Sequence, residues 1–578
     1  MKSESLFVGL DFGTESVRAV VCDRSGRTVA TAESEYAHGQ IVPGTETASK
    51  LFRVELPDRS ALQHPGDWLR AASVACRAAV CGAGLDPARV VGLGVDFTSC
   101  TVLPCTTHGL PLCLSSLDGA LSKLAPHPHA WPKLWKHHGA ADQARRLTEA
   151  AADLGEPWLE RYGGSVGLEW FFPKILEVIE ADPEVADAAE VWIEAGDWFV
   201  WHLVGSPGAG GQIDSASIPR STCQAGYKAQ WSPKTGFPAE DYLGHVHPAL
   251  GAVRKKKLPG RFVPPGRLAG TLSSAMAEKL GLHPGVAVSA AIIDAHAGVP
   301  GAGVAQPGTL VMVLGTSACH MLLSEKGHDI PGIAGVVQDG ILPGLYAYET
   351  GQAAVGDSFE FVRVLTGQDS FEKLEAAAER IDAGSDGIIC MDWFAGCRTP
   401  LMDSSVSGGF IGLRLSHTPG HFYRAAMEGA AFGLRWIVET LRTGGGGAWG
   451  GVPVERFIAT GGIARRSPLF LRIVASALGE RVYAHQAPHG PALGAAILGA
   501  LAAGADRGGF ADPVSAVRSM AGETSVLPAP VAVDPVPDWV PVYERMYHVY
   551  RRMAQATARP ESASRAAGAI GRREAPAR

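Results

Sequence analysis

Paired cysteines are missing from this chain. Its 578 residues include ten cysteines but no C-x-x-C pair, which removes the usual spacing of a zinc site or a dithiol redox centre. Cys76/Cys81 and Cys100/Cys105 stand close together in apolar segments, so all ten read as reduced, small hydrophobic residues. A basic excess is also absent. The 51 Lys and Arg against 58 Asp and Glu leave a formal charge of −7, the wrong sign for a protein that coats nucleic acid. The start, MKSESLFVGLDFG, has no apolar signal segment and no small-residue cleavage site. The uncharged stretch between His489 and Asp506 is Ala/Gly-rich, is interrupted by Pro491, and is too short to span a bilayer. Together these absences predict a cytoplasmic protein with no nucleic-acid and no membrane partner. Neither G-x-x-x-x-G-K-S/T nor a G-x-G-x-x-G after the first strand occurs, so a nucleotide would need another kind of cradle. Charged residues are only 19%, yet 46% are hydrophobic, which excludes wholesale disorder. The length allows about three to five domains, or two large ones.

What is present has a repeating order. Leu6–Leu10 is an apolar strand, Asp11-Phe12-Gly13-Thr14 a turn, Val17–Cys22 a second strand, Asp23–Gly26 a second turn and Thr28–Ala32 a third strand. This predicts an antiparallel meander opening a domain. Val90–Val95, closed by Asp96, reads as a buried strand. Helical spacing marks Ala140–Ala152, Trp170–Ile179 and Phe422–Arg442, and a stripe of Tyr543, Met546, Tyr547, Tyr550 and Met553 marks a last helix. A second domain is expected near Gly285, opened by the apolar run Val286–Ile293. Thr309–Leu314, Gly315-Thr316-Ser317 and Cys319–Leu323 then repeat strand, Gly-Thr turn, strand. DFGTES (11–16) and LGTSAC (314–319) are therefore candidate equivalents in a duplicated domain. The predicted division is 1–285, 286–558 and a disordered tail over 559–578.

The candidate chemistry lies in these turns. Gly13 lets a phosphate approach the main chain, Thr14 adds a hydroxyl donor, and Arg18 supplies positive charge. Asp11, at the strand end, could hold Mg²⁺ through water. Gly315, Thr316 and Ser317 repeat the device, and Thr460-Gly461-Gly462, between a short strand and a helix, could admit a flat adenine. Asp294 closes the run Val286–Ile293 and opens a small-residue helix. A helix start favours an ionised carboxylate, and such a group beside a sugar hydroxyl would be the general base of a phosphoryl transfer. Asp96 and Ser99 after one strand, Lys228 in Gly226-Tyr227-Lys228, and Glu349 with Gln352 in YETGQ are polar residues set in apolar or aromatic runs. A polyhydroxyl ligand needs several such donors and acceptors.

Taken in order, VGLDFGTESVRAVV, GLGVDFTSCTVLP, IDAHAG, LGTSACHM, YETGQAAVGD, MDWFAGCRTP and ATGGIARRSPLF resemble the FGGY family of carbohydrate kinases. DFTSC, HAWPKLWKHH, EWFFPK and AGYKAQW are similar to its ribulokinase branch. The resemblance covers Leu6 to about Met553. It implies an α/β architecture of two RNase H-like domains, of the actin/hexokinase/Hsp70-type ATPase fold, flanking a deep cleft. The sugar would lie mainly on the first domain and ATP·Mg²⁺ on the second. It places Asp11, Gly13, Thr14 and Arg18 in the first phosphate motif, and Gly315, Thr316 and Ser317 in the second. Gln352, Gly461, Gly462 and Ser467 fall on the nucleotide side. Asp294 takes the position of the catalytic base. Asp96, Ser99, Lys228, Asp294 and Glu349 would contact the sugar. The implied reaction moves the γ-phosphoryl group of ATP to the 5-hydroxyl of L-ribulose, in L-arabinose breakdown, with a homodimer as a possible assembly. The chain departs from the family pattern at Ile463, Ser467 and Cys397. The alternatives are another FGGY kinase, for xylulose, a different pentulose or a pentitol, and an actin-like nucleotide switch without a sugar.

Overall fold

Side-chain alternation decides how the first strand is used. In the computed structural model, which describes residues 5–117, 119, 121–447 and 450–558, Leu6–Phe12 is buried along its whole length. Leu6, Val8, Leu10 and Phe12 pack with Trp68 and Ala71 on one face, and Phe7 packs with Leu493 and Ile497 on the other, the two-residue period of a strand. Leu6–Phe12 pairs antiparallel with Ser16–Asp23 and parallel with Val90–Phe97. The whole sheet runs Thr28–Glu35, Ser16–Asp23, Leu6–Phe12, Val90–Phe97, Ala287–Ser289, Leu268–Thr271, with Ile292–Ile293 also on Val90–Phe97.

A second sheet repeats this plan. Its central strand, Thr309–Leu314, pairs antiparallel with Ala318–Ser324 and parallel with Arg456–Thr460. Tyr346–Gln352 lies outside Ala318–Ser324, and Val482–Ala484 and Val531–Val533 follow on the far edge. Strand order and directions match the first sheet, with Gly335–Gln338 added at one edge. The duplication read from DFGTES and LGTSAC is thus present in the topology.

The expected boundary at Gly285 is corrected. Val286–Ile293 does not open the second sheet. Ala287 and Val288 pair with Gly92 and Leu93, and Ile292 and Ile293 pair with Asp96 and Phe97. The run finishes the first sheet, and the second begins at Thr309. The tail over 559–578 lies outside the described residues.

Two helices join the halves. Asp294–Gly301 leaves the first sheet, and Gly490–Ala503 comes from the second half of the chain. One apolar cluster holds Phe7 of the first sheet, Val311 and Ile458 of the second, and Leu493 and Ile497 of Gly490–Ala503. Side chains are excluded at the closest approaches. A Cβ on Gly9 would sit 1.9 Å from the carbonyl oxygen of Ala492, and one on Gly494 would sit 1.8 Å from that of Ala297. The later helix therefore rests directly on the backbone of the first sheet and of the earlier helix.

Candidate active site

Asp294 is placed by a strand that ends directly in a helix. Ile293 is the N-cap, so Asp294 is the first helical residue, and its Oδ1 accepts the Ala295 N–H at 2.7 Å. The helix start was expected to keep this carboxyl readily ionised. Burial outweighs it. Desolvation pushes the group up to about 7, with the Asp11 and Glu349 charges adding to it and the Ala295 N–H and Lys228 opposing it. A base that titrates near neutrality is well matched to taking a proton from a hydroxyl.

Asp11 and Asp96 are register partners on adjacent parallel strands, so their side chains emerge on one face of the sheet. Asp11 receives Arg18 at 3.1 Å, and Arg18 also reaches Glu33 at 3.2 Å. Burial raises Asp11, against the pull of Asp96 and Arg18. Asp96 is raised much further, by burial and then by the charges of Asp11 and Asp294. Neither Asp96 oxygen has a well-formed hydrogen bond. Two adjacent carboxyl groups, one of them without such a bond, fit a hard divalent cation with oxygen ligands.

Lys228 ends the helix Thr222–Lys228, and Glu349 lies in the strand Tyr346–Gln352. Across the halves, the Lys228 Nζ donates to both Glu349 oxygens, at 2.9 and 3.0 Å. Burial works against both charges, yet each holds the other ionised. Lys228 lies well above its ordinary range and Glu349 well below. His296 Nε2 stands 3.2 Å from Glu349, and burial lowers its pKa against the pull of that carboxylate. Ser99 sits in a tight turn with Cys100 at φ 57°. The buried Lys174 ammonium fixes that turn by donating to the Cys100 carbonyl at 2.6 Å and the Leu134 carbonyl at 2.8 Å.

The two Gly-Thr turns are hydrogen-bonded loops. Gly13 N–H donates to Ser16 O and Gly315 N–H to Ser317 O, both at 3.0 Å. The Thr14 hydroxyl accepts from the Trp135 indole at 3.2 Å, and its carbonyl accepts from Gln63. The Gly315 and Thr316 carbonyls accept from Gly356 and Val355. Gly461 has φ 97°, and a Cβ there would lie 2.5 Å from Leu314 O. This close approach sets the glycine loop 461–462 beside the 315–317 turn. The His489 imidazole feels Arg18 and Asp11 of the first strand pair and also Arg465, which follows the glycine loop.

Two residues expected to touch nucleotide are occupied elsewhere. The Ser467 hydroxyl donates to Glu375 at 2.9 Å and accepts the Phe470 N–H as a helix cap. The Gln352 amide donates to Asp392 and to the Ala430 carbonyl, both at 2.8 Å, and Asp392 in turn accepts from Tyr550. Both side chains are buried. Sequence reasoning assigned nothing to Glu194, Gln224, His296 or His489. His296 was within reach, two positions after Asp294. Nothing in the local sequence marks the others, whose surroundings are set by tertiary packing. Among the described residues, no helix is long and apolar enough to cross a membrane.

Comparison with known proteins agrees with this arrangement. Residues 310–503 match the C-terminal domain of the FGGY family of carbohydrate kinases. The ribulokinase of Bacillus licheniformis is 37% identical over 551 residues, covering 93% of this chain and 94% of its own. That of Anoxybacillus flavithermus is 36% identical over 567 residues, 96% and 95% of the two chains. The solved xylulose kinase from Rhodospirillum rubrum shares the fold, with a TM-score of 0.73 at 22% identity over 95% of this chain and 98% of its own. Identity of this level along nearly the entire length, on a twice-repeated sheet, means that the chain belongs to the FGGY family of carbohydrate kinases, enzymes that move a phosphoryl group from ATP to a sugar.

Proposed function

We propose that this enzyme transfers the γ-phosphoryl group of ATP to the 5-hydroxyl of L-ribulose, giving L-ribulose 5-phosphate, as a cytoplasmic step of L-arabinose breakdown. The observation that carries the reading is the position of Asp294. It follows Ile293, which pairs with Phe97 next to the register partner of Asp11, and it precedes by two residues His296, which stands 3.2 Å from Glu349 of the Lys228–Glu349 pair. A group so placed can meet a sugar hydroxyl and a terminal phosphate together. The relatives named ribulokinase support the choice of sugar.

In this reading Asp294 accepts the proton of the 5-hydroxyl as the oxygen attacks phosphorus. Lys228, Glu349, Ser99 and Asp96 hold the remaining oxygens of the sugar. Gly13 and Gly315 leave room for the phosphates at the main chain, Thr14, Thr316 and Ser317 offer hydroxyl donors, and Arg18 adds positive charge. Gly461 and Gly462 let the adenosine lie against the backbone. Ser467 and Gln352 bond within the protein instead. Asp11, with Asp96 beside it, would hold Mg²⁺, which when bound neutralises phosphate charge. A general base supplies about 10²–10⁴-fold, and positioning with charge stabilisation supplies most of the rest.

The test is ADP release with and without L-ribulose. Release that depends on the sugar is the expected result. Equal release in both reactions would overturn the reading in favour of a nucleotide switch, and release driven only by xylulose or a pentitol would move the substrate.

A further inference from the structure

Gln224 and Glu194 are buried polar residues near the sugar side that the reaction described above does not use. Gln224 is fully buried and Glu194 is 2% exposed. Neither the Gln224 amide oxygen and nitrogen nor the two Glu194 oxygens have a well-formed hydrogen-bond partner in the protein. Among the described residues, the Thr101 N–H is the one donor that acts on Glu194, and burying polar atoms with so few partners is costly without a ligand or water to satisfy them.

Their placement ties both to the sugar side. Gln224 precedes Lys228 by four residues on the helix Thr222–Lys228, so the two share a face. Glu194 ends the strand Val191–Glu194 opposite Val102, and the next residue, Ala195, donates its N–H to the Thr101 carbonyl at 2.8 Å. Glu194 is thereby pinned beside the turn that carries Ser99. The Gln224 amide lies against the helix that follows Glu194, because a Cβ on Gly196 would fall 2.6 Å from its Nε2 and 3.1 Å from its Oε1. Glu194 and Asp294 both feel the Lys228 charge.

We propose that Gln224 and Glu194 hydrogen-bond the ketopentose beside Lys228 and the Ser99 turn, and so help set which sugar is accepted. This rests on the reading that the cleft takes a ketopentose. The amide supplies a donor and an acceptor to hydroxyl groups, each of which both gives and takes a hydrogen bond. Burial, partly offset by Lys174, pushes Glu194 up to about 8, so at neutral pH its carboxyl keeps a proton to donate to a carbonyl, which can only accept.

The test compares Gln224→Met and Glu194→Met, which keep volume and lose the polar atoms, with Glu194→Gln, which keeps a donor. KM and kcat are measured for L-ribulose, ATP and ribitol, the pentitol whose carbon-2 carbonyl is a hydroxyl. Both Met variants should raise the L-ribulose KM by at least about ten-fold with the ATP KM within about two-fold. Glu194→Met should also narrow the preference for L-ribulose over ribitol, and Glu194→Gln should restore it. An unchanged sugar KM in both Met variants, or an equal rise for sugar and ATP, overturns the proposal. If Gln224→Met does not fold, Gln224→Leu is read by the same criteria. A wild-type enzyme that phosphorylates another pentulose but not L-ribulose would defeat the functional reading, and the variants would then be judged on that pentulose.

Discussion

Asparagine at position 294 separates chemistry from architecture. It has the size of aspartate and keeps an acceptor for the Ala295 N–H, which now lies 2.7 Å from Oδ1. What it loses is the group that takes the proton, so turnover should fall by about 10²–10⁴-fold while ATP binding stays near wild type. Stability should move the other way. In the folded enzyme the Asp294 carboxyl is raised from 3.8 to about 7. At about 1.4 kcal/mol per pKa unit, the ionised form costs the fold roughly 4 kcal/mol. The folded state binds more protons than the unfolded one between these two values, so this contribution lowers stability as pH rises through the window. The cost is complete above about pH 7 and absent below about pH 4. The ligand-free Asp294→Asn enzyme should therefore melt several degrees above wild type at pH 8, and the two curves should converge in acid. ADP release, calorimetric ATP binding and thermal melts at pH 5 and pH 8 measure all three quantities. A variant with more than about a tenth of wild-type turnover would refute the base assignment. A variant that melts no higher at pH 8 would refute the account of burial.

Lys228→Met should raise the apparent KM for sugar more than that for ATP. It leaves the Glu349 carboxylate buried without its ammonium partner, which should destabilise the enzyme by about 3–5 kcal/mol. The opposite KM pattern in a steady-state assay would remove Lys228 from the sugar site. Gly494→Ala drives a methyl group to 1.8 Å from the Ala297 carbonyl oxygen, where backbone meets backbone. Little folded protein should be recovered by gel filtration, and a variant melting close to wild type would show that the two helices can move apart.

Local patterns were legible because their causes are local. DFGTES and LGTSAC expose the repeat, since a strand, a Gly-Thr turn and a second strand are written in adjacent residues, and the matching order of the two sheets bears it out. Asp294 was visible as a carboxylate between an apolar strand and a small-residue helix. The division at Gly285 was misplaced because an apolar run signals burial without saying which sheet it enters. Asp294 was expected to ionise easily because a helix start is visible in sequence, whereas the desolvation that lifts it depends on everything packed around it. Ser467 and Gln352 fit a nucleotide motif by position, yet Glu375 and Asp392 consume their hydrogen bonds from distant segments. Glu194 and Gln224 looked like ordinary polar residues beside short elements. That their polar atoms are left with so few partners is a property of the assembled cleft.

The helix Gly490–Ala503 has a further consequence for how this polypeptide is made. It covers the first sheet at Gly9, yet it is encoded near the far end of the chain. During synthesis the N-terminal strands must wait, with one face bare, until almost everything else has emerged from the ribosome. Contacts between such distant segments form late and slowly. A fragment cut between the two sheets would keep that uncovered surface permanently, so the halves, although duplicated, should not survive as separate proteins.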